Sequence, residues 1–233
     1  QKSIHYLCFM QKTTIILILL FPLLALGQIN EGGFPYSFDH DLRQANPARI
    51  VLPSPELPAD AETAKSGTPE PYQVGVGIET SIDLMKEGNM SLEKGGMQVC
   101  RLSIHSEDAA GLLLYYRHFS IPEGGRLFLY SGDRQDLIGA FTSRNNPSGE
   151  YFATEMIRGE DLVLEYNAPV GISVEPRIEI YQVHYIYRAI EPWLKGSSGP
   201  CEVNVNCPEG AEWQNQKRSV AKIVLKAGLG TYL

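Results

Sequence analysis

Between residues 74 and 188 apolar and polar positions alternate in short runs separated by turn residues. "QVCRLSIHS" (98–106) is followed by "GLLLYYRHFSI" (111–121), which runs into "PEGG". "RLFLYS" (126–131) runs into "GD", and "LIGAFTS" (137–143) into "RNNPSG". "EYFATEMI" (150–157) leads into "RGED", and "LVLEYNAP" (162–169) and "RIEIYQVHYIYR" (177–188) complete the series. Runs of this length, with Gly, Asn, Pro and Asp between them at roughly 8–12-residue spacing, predict antiparallel strands of a β-sandwich or jelly roll. Helical periodicity is almost absent, and only "SIDLMKEGN" (81–89) predicts a short turn of helix. There is no internal repeat.

The flanks read differently. Residues 28–73 carry little periodic apolar sequence, and "PARIVLPSPELPADAETAKSGTPEPY" (47–72) is dense in Pro, Ala and acidic residues. Such a composition buries too little apolar surface to offset the ordering of its backbone, so an extended or loosely docked segment is expected. "GGFPYSF" (32–38) is the exception, because its three aromatics can dock on a neighbouring domain. Residues 191–200, "EPWLKGSSGP", form a Gly/Ser-rich linker. Beyond it, "WQNQKRSVAKIVLKAGLGTYL" (213–233) offers one apolar strand at 220–225 with nothing after it to pair with. One or two strands do not fold alone, so the chain is expected to stop inside a domain.

At the other end, "MQKTTIILILLFPLLALGQ" (10–28) has a charged start, a short apolar core and small residues before a cut between Gly27 and Gln28. That is the pattern of a secretory signal peptide. A membrane anchor is the rival, but the run at 15–26 contains Pro22 and is short for roughly 30 Å of hydrocarbon. Residues 1–9 lack an initiator and read as spurious upstream sequence. Export predicts an extracellular, periplasmic or cell-surface protein, with Cys100, Cys201 and Cys207 in an oxidising compartment. Three cysteines leave at least one without a partner in the exported chain. The net charge of −7 argues against nucleic acid as a partner.

Candidate chemistry is sparse. Acidic residues cluster in turns as "GED", "SED" and "GD", where carboxylates commonly satisfy turn amides. "GVGIET" (75–80) lacks the third glycine and the helix of a dinucleotide fingerprint. The triplet at 89–91 fits a glycosylation sequon, and no zinc, calcium or phosphate-loop spacing occurs, so no metal or cofactor is expected. His105, His118 and His184 fall in predicted strands without a "GxSxG" serine or an evident orienting Asp, and no catalytic centre is expected in this chain. Cys201 and Cys207 flank "EVNVN", which alternates as a strand. In a strand their Cα atoms stand roughly 20 Å apart, beyond disulfide reach, whereas a curled loop lets them bond each other.

"GSSGPCEVNVNCPEGAEWQNQKRSVAKIVLKAG" resembles the mature N-terminus of bacterial lysyl endopeptidases, secreted serine proteases of the chymotrypsin fold. The elements are the Gly/Ser stretch at 196–199, Cys201, the Cys207-Pro208-Glu209-Gly210 block and the run at 218–225. Residues 29–190 resemble the pro-region ahead of such proteases in Bacteroidetes-type proteins, including "GGFPYSF", "RLSIHS", "GAFT" and "VHYIYR". The resemblance implies a β-sandwich pro-domain at 74–190, a processing site between Lys195 and Gly196, and the first strand or strands of a truncated trypsin-like β-barrel at 201–233. It implies that Cys201 and Cys207 bond cysteines further along a protease domain, that the pro-domain packs on that domain, and that the full-length enzyme cleaves proteins or peptides after Lys. The His, Asp and Ser of the triad lie beyond Leu233, so this chain alone is expected to be inactive. Cys100 departs from the large apolar residue, often Trp, that such pro-regions place there, and an under-filled site is expected. The alternative is a secreted, non-catalytic β-sandwich binding or adhesion module, and a partial coding sequence without a function of its own is a third reading.

Overall fold

The computed structural model of the chain describes residues 30–43, 46–58, 73–149, 151–188, 212–213 and 224–232. These are all-β, arranged in two mainly antiparallel sheets. The six-stranded sheet holds β1 (Ala48–Val51), β3 (Asn89–Glu93), β4 (Met97–His105), β6 (Arg126–Ser131), β7 (Leu137–Phe141) and β10 (Asp161–Pro169). Its order is β1-β4-β10-β6-β7, with β3 also on β4. The seven-stranded sheet holds β2 (Gln73–Asp83), β5 (Gly111–Ser120), β8 (Phe152–Ala153), β9 (Ile157–Arg158), β11 (Arg177–Ile186), β12 (Leu225–Ala227) and β13 (Gly230–Tyr232). There the order is β12-β13-β2-β11-β5-β8, with β9 also on β5. Two single-turn helices, α1 (Tyr36–Asp39) and α2 (Leu84–Glu87), complete the described elements apart from a 3₁₀ turn. Among the described residues no helix is long and apolar enough to cross a membrane.

The period-two pattern explains how the sheets share one core. Cys100, Leu102 and Ile104 of β4 point inward, as do Leu127 and Leu129 of β6 and Leu162, Leu164, Tyr166 and Ala168 of β10. From the other sheet come Leu112, Leu114 and Tyr116 of β5 with Ile178, Ile180, Val183 and Tyr185 of β11. The inward series of β11 shifts phase between Ile180 and Val183. The cause is a bulge: Ile180 pairs with Tyr116 and Gln182 with Tyr115, so Tyr181 is an extra residue. A one-residue insertion reverses which face each later side chain occupies. Gln182 and His184 therefore join Tyr181 on the outer face.

Several expectations change here. The strand read at 150–157 is broken into two short bridges, β8 and β9. Tyr115 pairs with Ala153 and Leu112 with Ile157, three steps on β5 against four opposite, which is a second bulge. The segment expected to be loose contributes β1, which runs parallel to β4 from Ala48↔Leu102 to Val51↔His105 and delivers Leu52 to the core. Of the strand expected at 220–225 without a partner, residues 220–223 lie outside the described residues; β12 begins at Leu225 and does have a partner, pairing with β13, which in turn joins the edge of β2. Gly228, at φ +57°, supplies the positive φ of the two-residue turn between them.

Cys100 does not sit in an under-filled site. The thiol is fully buried, 3.3 Å from Leu84 O, and a Cβ placed on Gly88 would meet its sulfur at 2.6 Å. Burial pushes its pKa up to about 12, so alkylating reagents should leave it unmodified at pH 8 in the native protein. Cys100→Trp is expected to destabilise the protein by about 3 kcal/mol through overpacking against Gly88 and Leu84. A urea midpoint equal to or above the parent's would contradict that expectation.

Candidate intramolecular docking face

The outer face of the seven-stranded sheet carries the densest unexplained group of polar and aromatic side chains. It is built on the pair His184↔Gly77. A Cβ on Gly77 would meet Gln182 Nε2 at 2.8 Å and His184 Nε2 at 3.0 Å, and one on Gly75 would meet Ile186 Cδ1 at 2.6 Å. The "GVG" of β2 therefore clears room for the side chains that the β11 bulge turns outward.

The β12–β13 hairpin closes over this face. Gly230 pairs with Val76, Thr231 with Gly75 and Tyr232 with Gln73, while Gly77 N donates to Leu229 O at 2.6 Å. Thr231 and His184 are both fully buried, and the Thr231 hydroxyl contacts His184 Nδ1. His184 Nε2 lies 2.9 Å from Gln182 Oε1, which can only accept. In the neutral ring the proton sits on Nε2, donated to Gln182, and Nδ1 accepts from Thr231. Burial, reinforced by the nearby Lys226 cation, lowers the His184 pKa to about 4.

Lys226 of β12 lies against two tyrosines. Its Nζ is 4.7 Å from the centroid of the Tyr115 ring and donates to Tyr181 Oη at 2.9 Å. Tyr151 extends the aromatic surface, 5.8 Å from Tyr181 and largely exposed. Tyr115 also packs at 4.6 Å on the His184 ring, and its phenol pKa is raised by burial and then by Tyr181.

The outer face of the six-stranded sheet is covered from the other end of the chain. Ser37 of α1 donates its N–H to Glu165 Oε1 at 3.0 Å and its hydroxyl to Glu165 Oε2 at 2.5 Å. Tyr130 Oη and Asn167 Nδ2 donate to the same carboxylate at 3.0 and 2.9 Å. Glu165 is fully buried and lies directly opposite Arg101 in the β10–β4 register. Tyr130, buried and beside Glu165, has its pKa pushed up to about 12. Of the three aromatics expected to dock, Phe38 meets Tyr130 edge-on at 5.0 Å and lies under the Arg134 guanidinium at 4.8 Å. Tyr36 stacks on His40, and Phe34 stays exposed.

Gly27, Gln28, Lys195, Gly196, Cys201 and Cys207 lie outside the described residues. His105, His118 and His184 do lie in β4, β5 and β11. His105 has an orienting carboxylate that the sequence did not reveal: its Nδ1 is 3.0 Å from Asp161 Oδ1, which also binds Arg49 at 3.1 Å. Among the described residues no hydroxyl donates to the other nitrogen of His105, so this is a paired histidine without a nucleophile. His118 is 3.9 Å from Glu179. The sequon residue Asn89 donates its amide to Asn46 O at 3.3 Å. Among the described residues no group of three or more His, Cys, Asp and Glu could hold a metal. The arrangement can seat a strand and cover a buried imidazole. A comparison with models of known protein families finds no match for this chain.

Proposed function

We propose that residues 28–195 are the pro-region of a secreted serine endopeptidase of the lysyl type, and that its β-module holds the beginning of the protease chain. The observation that supports this is the β12–β13 hairpin. It belongs to the segment resembling the protease N-terminus, yet it adds as strands to the edge of the β-module and covers His184. Main-chain pairing gives such a docked strand its affinity and side-chain contacts give it its selectivity. A pro-region gripping the first hairpin of its protease keeps that hairpin from its own barrel until the link is cut, so the protease stays latent. Lys195, in the Gly/Ser-rich linker, is the bond that a Lys-specific protease would cut itself. N-terminal sequencing of the secreted full-length product should find Gly196 first, and a mature start elsewhere overturns the reading.

A further inference from the structure

The hairpin is held lightly by its backbone. Only Gly230, Thr231 and Tyr232 pair with β2, and all of β12 is solvent-exposed. On β2 no strand among the described residues continues the pairing along Ile78 to Asp83 on that side. What distinguishes this strand from any other is therefore carried by side chains, and the most specific is Lys226. Its ammonium has no carboxylate within 4 Å among the described residues. The Tyr115 ring and the Tyr181 phenol oxygen receive it instead. A ring face attracts a cation through its quadrupole. A ring 4.7 Å from Nζ and a hydroxyl hydrogen-bonded to it at 2.9 Å together suit a primary ammonium.

We propose that Tyr115 and Tyr181, extended by Tyr151, form a receptor for the side-chain ammonium of a lysine presented on an extended peptide, occupied in cis by Lys226, and that this recognition selects residues 225–232 as the strand accepted by the β2 edge. Tyr181 faces outward by alternation from the inward Ile180, on the same face as Tyr115 of the neighbouring strand. The receptor rests on contacts within this chain, and the protease reading explains only why a pro-region would carry one. Sequencing that finds a mature start other than Gly196 would remove that explanation and leave the receptor standing.

The test uses the whole chain and amide hydrogen exchange. The Gly77 amide donates into the hairpin and so reports docking, while amides of β4 and β10 report the core. Lys226→Met keeps the length and apolar stem but removes the charge. It is expected to lower protection at Gly77 on the order of tenfold with core protection unchanged, and Tyr181→Phe should lower it by less. The free peptide VLKAGLGTY, corresponding to residues 224–232, added at millimolar concentration to the Lys226→Met chain, should restore protection at Gly77. The same peptide with Met at the lysine position should not. Equal protection in the parent and Lys226→Met chains overturns the proposal. Equal rescue by both peptides also overturns it, because the edge would then accept any strand through its backbone alone.

Discussion

Lowering the pH from 7 to 4 is expected to weaken docking of the 225–232 hairpin by about 3 kcal/mol while the two-sheet core stays folded. His184 titrates at about 4 when covered and near the ordinary 6.5 once the hairpin leaves and water reaches the ring. Below pH 6.5 the undocked state therefore binds more protons than the docked one. Docking is at full strength above pH 6.5, declines between 6.5 and about 4, and levels off below. The other groups facing the ring are Lys226 from β12, Tyr115 from β5, Tyr181 from β11 and Glu79 of β2, which lies opposite Gln182; burial raises the Tyr115 phenol further from this window. The amide NMR signals of Gly77 and Thr231 should move together with this titration. His184→Asn, which keeps an acceptor near the Nδ1 position, should flatten it. Signals that stay put down to pH 4, or that titrate identically in His184→Asn, would count against the assignment.

The second large effect belongs to Glu165. Its carboxylate accepts from Ser37 N, Ser37 Oγ, Tyr130 Oη and Asn167 Nδ2 with no exposure to water. Glu165→Ala strands these donors and removes the charge opposite Arg101, which is expected to cost about 3–5 kcal/mol. Because two of the donors come from Ser37, the N-terminal segment should come off the sheet as well. Chymotryptic cleavage at Phe38 would then speed up before global unfolding. Glu165→Gln keeps the volume and one acceptor, so its loss should be smaller but in the same direction. An unchanged urea midpoint for Glu165→Ala would show that the network contributes nothing net.

The strands that bury one face against the core were readable from alternation alone. β4, β5, β6, β10 and β11 fall where the pattern puts them, and the single turn α2 falls within "SIDLMKEGN". What the pattern could not show depends on partners far away in the chain. β1 lies in a Pro-rich stretch with no periodicity, and it is a strand only because β4 offers it an edge. Ser37 meets Glu165 across 128 positions. Asp161 orients His105 only because β10 pairs with β4 in that one register. The outer-face cluster was hidden for a different reason. A strict alternation from Ile180 puts Gln182 and His184 in the core, and the bulge at Tyr181 cancels that assignment. The available signal was the polar pair itself, since Gln and His at two successive core positions contradict a hydrophobic interior. The Gly75 and Gly77 spacing was visible but read as an incomplete nucleotide loop, because its real purpose lies on the neighbouring strand.

The N-terminal segment also ends the six-stranded sheet. Glu31 N donates to Ala140 O and Ala140 N to Gly32 O, each at 3.2 Å, so the outer side of β7 is already engaged. Thr142 donates to Glu31 at 3.0 Å, and Arg144 pairs with the same carboxylate at 3.4 Å. A bare sheet edge is a template on which other chains can grow, and a short irregular segment bound across it offers no such template. Residues 31 and 32 thus bear on the colloidal behaviour of the chain, keeping separate copies from adding to one another at this edge.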